Sequence, residues 1–301
     1  MFNNVSFVFP YVNPTDLNWQ KDYEYSKGEK YKSSERFRDF SMLKYIFRSI
    51  EMYAPWINQV VILVSSRSQL PEYINQNSSL VIVEHKDFIP SQYLPTFNSN
   101  TIEMFLPNLD CLYEHFIYSN DDLIFVNKTN YEDFFRFGTP LLSLVGGGNQ
   151  DRPGTFRDCC KRTWDLTKDI NKYDTGEFSY MRQFHGAASP RLLSDCKQCF
   201  THYEKQILES LTRFRSFRQN LNQYLYGYYS LAKNRASVIT TQRIGSYVSA
   251  EDGIDRVVDA INNCPTKMLC INDTANMTEP VFKVIQDTLE VRFPNKSRFE
   301  F

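Results

Sequence analysis

The sequence lacks a long hydrophobic run. No segment supplies the roughly 20 consecutive apolar residues that a membrane-spanning helix requires, and Ser6 and Pro10 interrupt the apolar stretch near the N-terminus. A positively charged leader is also absent from the first residues. We therefore expect a soluble, cytoplasmic protein that is not exported.

An excess of charge of either sign is missing as well. The 34 lysines and arginines nearly balance the 35 aspartates and glutamates, which leaves a formal net charge of -1. Such a chain has no electrostatic footprint for non-specific binding to nucleic acid or to an anionic membrane. Small or neutral partners are favoured, and nucleic acid is not expected among them.

The cysteines show no regular disulfide spacing. Seven is an odd number, and this usage is typical of a reducing compartment. Cys196, Cys199 and His202, together with Cys159 or Cys160, could close a tetrahedral zinc site. The same spacing also fits one face of a helix, where cysteine packs as a small buried hydrophobe. Both interpretations remain open at this point.

Hydrophobic residues make up 42% of the 301 residues, which is enough for one large core. Four short β-rich runs without polar alternation predict strands that are covered on both faces, at residues 5–9, 60–64, 80–83 and 116–118. Between the first two, residues 38–53 carry apolar side chains at helical spacing, and Pro55 follows. Strand, helix and strand in this order predict an α/β fold with a mostly parallel sheet.

The second half of the chain has a different pattern. A loop begins at residues 146–148, and the remaining pattern is mainly helical, with helices predicted over residues 203–211 and 219–233. We expect this half to be a helical elaboration that packs on the sheet.

Polar clusters follow the predicted strands. Residues 13–16 follow the first strand, Asn98 and Ser99 come after the third, and residues 120–122 interrupt the fourth. Because ligands bind at the carboxyl ends of strands in α/β sheets, these side chains are candidate site residues. The adjacent carboxylates of Asp121 and Asp122 indicate a divalent cation that would hold a diphosphate. The alternative is an Asx turn that ends the strand.

Four ordered sequence blocks cover nearly the whole chain. They comprise residues 12–19; residues 36–39, 48–51, 53–57, 94–99, 102–103 and 118–122; residues 185–190 with 213–216; and residues 269–273 with 293–300. Together they resemble the Stealth proteins, which include bacterial capsule sugar-phosphate transferases and the animal lysosomal-enzyme GlcNAc-phosphotransferase. Two departures concern specificity: Pro14 stands where the family usually has glycine, and residues 40–42 replace acidic or amide residues.

The resemblance implies an enzyme, a metal-dependent hexose-1-phosphate transferase. Its donor would be a nucleotide diphosphate sugar, often UDP-linked, and its acceptor a hydroxyl of a glycan or lipid-linked oligosaccharide. The product would be a phosphodiester, and the leaving group a nucleoside monophosphate. Two alternatives stay open: a conventional metal-dependent glycosyltransferase that releases UDP, and an inactive nucleotide-sugar-binding assembly protein. A lipid-linked acceptor would bring the protein to the inner face of the membrane, as a peripheral protein.

The fold implied is a Rossmann-like sheet similar to that of A-type glycosyltransferases. A single catalytic domain would comprise a nucleotide-sugar-binding core (1–145), a mainly helical elaboration (146–260) and a final block that returns to the active site (261–301).

The resemblance also implies roles for individual residues. Phosphoryl transfer requires neutralised charge, a deprotonated hydroxyl and in-line geometry. The implied catalytic residues are His185, Arg215 and Asp39, with His185 as acid or base because a free imidazole titrates near about 6.5. The implied ligands of Mg²⁺ or Mn²⁺ are Asp121, Asp122 and Asp273. The implied substrate-binding residues are Asn13, Asp16, Trp19, Arg36, Arg38, Asn98, Ser99, Asn120 and Asn272. Core packing is an alternative role for Trp19. A structural ion pair is an alternative role for Arg36 and Arg38.

Overall fold

A computed structural model describes residues 4–33, 37–38, 41–75, 79–148, 152–239, 244–274 and 277–301. Within these ranges a five-stranded sheet has the order β3-β2-β1-β4-β9. Its strands are β1 (Val5–Pro10), β2 (Gln59–Val64), β3 (Leu80–Glu84), β4 (His115–Tyr118) and β9 (Ser189–Leu192). The first four run parallel, as predicted, and β9 pairs with β4 in the antiparallel direction.

The predicted helix between β1 and β2 exists, but it begins later than expected. Helix α2 (Met42–Tyr53) starts four residues after the predicted Arg38. Ser41 has a left-handed backbone with φ of 64°, so the chain enters the helix only after that residue. Leu43, Ile46 and Phe47 of α2 are buried against the sheet, as the periodicity predicted.

The remaining helices lie around the sheets. They are α1 (Leu17–Lys27), α3 (Ser99–Met104), α4 (Phe156–Leu166), α5 (Leu193–His202), α6 (Glu204–Ser210), α7 (Tyr224–Ala232), α8 (Ile254–Asn263) and α9 (Glu279–Arg292). The two helices predicted in the second half correspond to α6 and α7. Helix α7 starts after the predicted Gln219, because the side chain of Asn222 accepts a hydrogen bond from the Tyr224 backbone N–H at 3.2 Å and holds the preceding segment in a turn.

The chain also contains strands that the sequence did not predict. Two further sheets contain β5 (Leu123–Phe125), β6 (Phe135–Arg136), β7 (Thr139–Gly147), β8 (Tyr180–Gln183), β10 (Ser237–Ile239), β11 (Gly245–Ser249) and β12 (Met268–Asn272). One has the order β10-β7-β6 with β8 on β7, and the other has the order β11-β12-β5. The pairing of β5 with β12 places Leu123 opposite Cys270.

The C-terminal segment is anchored to α2 by a buried guanidinium. Arg48 donates to Glu300 Oε2 at 2.9 Å, to Glu290 Oε1 at 2.9 Å and to the Phe293 carbonyl at 2.8 Å. Residue 300 also bridges to Ile74 beside the sheet. None of the helices in the described ranges combines the length and the apolar character required to cross a bilayer.

Candidate active site

A cavity of about 680 Å³ opens at the carboxyl ends of β1 and β4. This is the edge where polar side chains were predicted to meet. Nine of the predicted site residues line it: Arg38, Ser99, Asn120, Asp121, Asp122, His185, Arg215, Asn272 and Asp273. Residues from the second, third and fourth sequence blocks therefore share one cavity, whereas the polar cluster at residues 13–16 does not line it.

The two adjacent carboxylates occupy the turn between β4 and β5. The Asp122 backbone carbonyl accepts a hydrogen bond from the Ile271 N–H at 2.9 Å, which ties the turn to β12. The Cys270 thiol donates to Asp122 Oδ2 at 3.3 Å. Asp122 Oδ1 is buried and has no hydrogen-bond partner among the described residues. Such an atom is costly to leave unpaired, so it is available to a donor or a cation that enters the cavity.

His185 reaches the cavity from the segment that joins β8 to β9. Its ring packs edge-on against Phe156 and Tyr247, each with a centroid distance of 5.9 Å. The preceding residue, Phe184, donates its N–H to the Ser143 carbonyl at 2.8 Å. The imidazole is thus held laterally by two aromatic rings while it faces the cavity.

Two glycines fix the position of the segment that carries His185. A Cβ atom on Gly245 would lie 1.9 Å from the Gly186 carbonyl oxygen, and one on Gly186 would lie 2.4 Å from the Ser246 carbonyl oxygen. Both distances are too short for real atoms, so this segment and β11 can touch only where neither residue has a side chain.

One more carboxyl group, that of Glu103, lines the cavity and was given no role by the sequence analysis. Glu103 is buried in α3, and its Oε1 accepts a hydrogen bond from the Tyr118 hydroxyl at 2.9 Å. Burial raises the pKa of Glu103 to about 7, while the Tyr118 hydrogen bond and the charge of Arg215 act in the opposite direction. Arg215 also donates to Ser99 Oγ. This carboxyl can therefore exchange a proton near neutral pH.

Arg38 and Asp273 form a two-pronged ion pair at the edge of the cavity. Arg38 Nε donates to Asp273 Oδ2 at 2.8 Å, and Nη2 donates to Oδ1 at 2.7 Å. The guanidinium also contacts the carbonyls of Thr274 and Met277. The structural ion pair considered for Arg38 is thus present. The metal-ligand role predicted for Asp273 would have to use the lone pairs that these two hydrogen bonds leave free.

Some predicted substrate-binding residues do not line the cavity. Asp16 caps α1, with Oδ1 accepting from the N–H groups of Asn18 and Trp19 at 2.8 Å each. Asn13 accepts from Thr15 in the same turn. Trp19 is buried, with its ring edge-on to Phe97, as the core-packing alternative proposed.

Asn98 is also buried away from the cavity. Its amide donates to Asn220 Oδ1 at 3.1 Å and to the Thr212 carbonyl at 3.0 Å, so it links α3 to the segment that leads to Arg215. Arg36 and Asp39 lie outside the described residues, and their predicted roles stay predictions.

Two arginines in the cavity were missed. Arg157 lies in the first turn of α4, and Arg182 lies in β8. Arg157, Arg182 and Arg215 together place three guanidinium groups on this part of the cavity wall. This positive charge suits an anionic ligand. No motif marks them, although Arg182 lies three residues before His185 and could have been found by its closeness to that residue.

The cysteines of α5 fit the helix-packing alternative. Cys196 and Cys199 are buried, and burial raises the pKa of both thiols, so both are held protonated. In the described part of the chain, one group of three possible metal ligands occurs, and it does not include these cysteines or His202. It consists of Asp122, His185 and Cys270, whose ligand atoms lie within 4.8 Å of one another.

Comparison with known proteins confirms the family resemblance. Residues 36–140 match the model of Stealth protein CR2, conserved region 2, and residues 259–301 match that of Stealth protein CR4, conserved region 4. These ranges contain the second and fourth predicted blocks.

Several curated relatives match over nearly their whole length. The capsular polysaccharide phosphotransferase WcwK of Streptococcus pneumoniae is 30% identical, with 100% of each chain covered. The exopolysaccharide phosphotransferase cps2G of Lactiplantibacillus plantarum is 29% identical, with 99% of this chain and 96% of the relative covered. The receptor polysaccharide phosphotransferase WefC of Streptococcus oralis is 27% identical, with 99% of each covered.

The mostly parallel sheet and the polar cavity at its carboxyl edge are those of an α/β protein with a ligand site at the strand ends. With the family matches and the full-length relatives, they identify the chain as a member of the Stealth family.

Proposed function

We infer that this protein is a sugar-phosphate transferase of capsule or cell-surface polysaccharide synthesis. It would move a hexose 1-phosphate from a nucleotide diphosphate sugar, UDP-linked, to a hydroxyl of a glycan acceptor. The observation that carries the proposal is the meeting of His185, Arg215 and the Asp121–Asp122 pair in one cavity, although they are far apart in the sequence. The phosphotransferase names of the full-length relatives support it.

In this reaction the acceptor hydroxyl oxygen attacks the phosphorus atom that bears the sugar. A new oxygen–phosphorus bond forms, and the bond from that phosphorus to the oxygen of the nucleoside monophosphate breaks. His185 faces the cavity and would take the proton of the hydroxyl. Arg215, Arg157 and Arg182 would bind the phosphate oxygens and hold the reacting atoms in line.

A divalent cation, Mg²⁺ or Mn²⁺, is part of the proposal. The unpartnered, buried Oδ1 of Asp122 fits such an ion, and Asp121 lines the same cavity. When bound, the ion would neutralise charge on the donor's diphosphate. Asp273 would join through the lone pairs that its ion pair with Arg38 leaves free.

The identity of the released nucleotide tests the reaction class. Incubation with a UDP-sugar, Mg²⁺ and a glycan acceptor should release UMP. The variant His185→Gln should lower the rate by roughly 10²–10⁴-fold, the usual contribution of general acid–base catalysis, with an unchanged far-UV circular dichroism spectrum. His202→Gln, on the surface of α5, is the matched control and should keep its rate.

Two outcomes would contradict the proposal. Release of UDP would indicate a conventional glycosyltransferase that attacks carbon. Donor binding without turnover, over a panel of nucleotide sugars and acceptors, would favour the inactive assembly protein. The same proposal includes a lipid-linked acceptor at the inner face of the membrane. The enzyme would then be cytoplasmic and would associate peripherally with that membrane. An assay with a lipid-linked acceptor tests this part.

A further inference from the structure

Three side chains that can ligate a metal meet beside the cavity from three separate elements. Asp122 and His185 line the cavity, whereas Cys270 is fully buried next to Asp122. Asp122 lies in the turn before β5, His185 follows β8, and Cys270 lies in β12. Their oxygen, nitrogen and sulfur ligand atoms lie within 4.8 Å of one another, and the thiol sulfur is 3.3 Å from Asp122 Oδ2. This set differs from the aspartate-only set expected for Mg²⁺.

The donor atoms select the kind of ion. Mg²⁺ prefers oxygen ligands in octahedral geometry, whereas a set of one carboxylate, one imidazole and one cysteine sulfur suits borderline ions such as Zn²⁺ or Co²⁺. Burial and the neighbouring Asp122 carboxylate raise the pKa of Cys270, so the ion must displace the thiol proton when it binds. Three protein ligands beside an open cavity are the arrangement of zinc sites that keep one position for solvent or substrate. The buried Asp122 Oδ1, which the proposed function also offers to Mg²⁺, has no hydrogen-bond partner among the described residues and is available to either ion.

The three side chains need only a small contraction to surround an ion. Zinc bonds of about 2.0–2.3 Å place neighbouring tetrahedral ligand atoms about 3.5 Å apart. Asp122 and Cys270 already approach this spacing, because the pairing of β5 with β12 holds them together. His185 is partly exposed, and its ligand nitrogen already lies within 4.8 Å of the other two ligand atoms, so a small shift of its side chain between the two flanking rings would complete the site.

We propose that Asp122, His185 and Cys270 bind a borderline transition-metal ion, with Zn²⁺ as the physiological type, and that its binding inhibits the transferase. Inhibition rests on the proposed function: an imidazole that is bound to the metal cannot accept the proton of the acceptor hydroxyl, and Asp122 is withdrawn from Mg²⁺. Binding itself does not depend on the proposed function.

Cobalt spectroscopy of the full chain tests the binding. Titration with Co²⁺ should give a thiolate-to-cobalt charge-transfer band and the intense visible bands of tetrahedral cobalt, and one equivalent of Zn²⁺ should remove them. Cys270→Ser should lose the charge-transfer band, and His185→Gln should weaken Co²⁺ binding at least tenfold. Cys111→Ser, at a partly exposed cysteine outside the cavity, is the matched control and should keep the full spectrum.

Inhibition is measured separately. Zn²⁺ should inhibit UMP release in the presence of excess Mg²⁺, a chelator should reverse this, and Cys270→Ser should need at least tenfold more Zn²⁺ for half-inhibition of its own rate. The binding proposal is overturned if the cobalt protein shows no thiolate band, or if the band survives in Cys270→Ser. A normal cobalt spectrum with no transfer under any condition would instead overturn the proposed function alone. Full activity of the zinc-loaded protein would overturn inhibition.

Discussion

At the scale of single residues, Glu103 shows how burial sets the proton affinity of a group beside the cavity. Its carboxyl is 7% exposed and contacts the Tyr118 hydroxyl, and its pKa is raised from 4.5 to about 7. The folded chain therefore binds this proton more tightly than the unfolded chain does. It follows that the contribution of Glu103 to stability is lost as the pH rises through the window from about 4.5 to about 7.

The variant Glu103→Gln should reduce the loss of stability between pH 5 and pH 8. Glutamine does not titrate, and the shift of the wild-type carboxyl corresponds to about 2 kcal/mol over this range. Urea unfolding at both pH values measures the difference for each protein. Asp287→Asn, on the exposed side of α9, is a matched control and should leave the pH dependence as in the wild type. Equal pH dependence of Glu103→Gln and wild type would contradict the prediction.

At the scale of elements, one guanidinium holds α2, α9 and the C-terminal segment together. Arg48 is 7% exposed and contacts Glu290 and Glu300. The side chain of Glu300 is 4% exposed. Removal of Arg48 would leave the buried Glu300 carboxylate without its cation. Loss of one partner of a buried pair is far more costly than loss of a surface pair.

We expect Arg48→Met to lower the free energy of unfolding by about 3–5 kcal/mol, the usual cost of breaking a buried ion pair. Lys283→Met removes an exposed ion pair with Asp287 in α9. This variant should change the free energy of unfolding by less than about 1 kcal/mol. Denaturant unfolding of the three proteins at pH 7 provides the comparison. Similar losses for both variants would show that the pair of Arg48 with Glu300 does not stabilise this junction.

The elements also show what local sequence can predict. Strands β1, β2 and β4 are almost wholly buried on both faces, and β3 is buried on one face and half-buried on the other. All four lack polar alternation, and this pattern identified them. Strands β8, β9, β11 and β12 are short and come from a region where helical spacing dominates. Their strand state depends on partners that are distant in the chain, such as Ile124 opposite Leu269, and local pattern carries no information on such partners.

At the scale of the whole molecule, the sheets connect the two halves of the chain. Strand β9 forms the edge of the main sheet beside β4, and β12 pairs with β5. The predicted division at residue 145 therefore separates strands from their partners. The three predicted segments themselves stay a prediction.

A fragment of residues 1–145 should not fold alone. It would expose one edge of β4 and leave β5 without β12, and it would also lack the partners of Arg48. Circular dichroism and one-dimensional NMR of the fragment should show a loss of native structure, whereas co-expression with residues 146–301 should restore a soluble complex. A cooperative thermal transition in the isolated fragment would contradict this expectation.

The candidate site was predictable where a motif marked it. The Asp121–Asp122 pair, His185 and Arg215 lie in recognisable blocks and share the cavity. Glu103, Arg157, Arg182 and Cys270 were given no role because their closeness to the site depends on α3, α4, β8 and the pairing of β5 with β12. At Asp16 and Asn98, by contrast, polar side chains near strand ends cap a helix or connect buried segments and do not line the cavity, and their substrate-binding role stays a prediction.

The contact between Gly186 and Gly245 yields a prediction that involves no functional side chain. Gly245→Ala should displace the segment that carries His185, because the added methyl group would overlap the Gly186 carbonyl oxygen. We expect transfer to fall at least tenfold while donor binding, measured by calorimetry, changes little. Gly28→Ala is the control, because an added Cβ at this position meets no other atom. Gly28 has a left-handed backbone, so this variant should lose stability but keep its activity. Normal turnover in Gly245→Ala would show that the segment can shift without harm.

The same contact affects how mutant strains should be interpreted. A mutant with alanine at position 245 would show impaired transfer as if the histidine itself had been altered, although residue 245 does not line the cavity. Genetic screens for defective coats would then recover this substitution beside true active-site lesions. Second-site revertants should arise at position 246 or in the segment around 184–187, where the backbone can make room for the extra carbon atom.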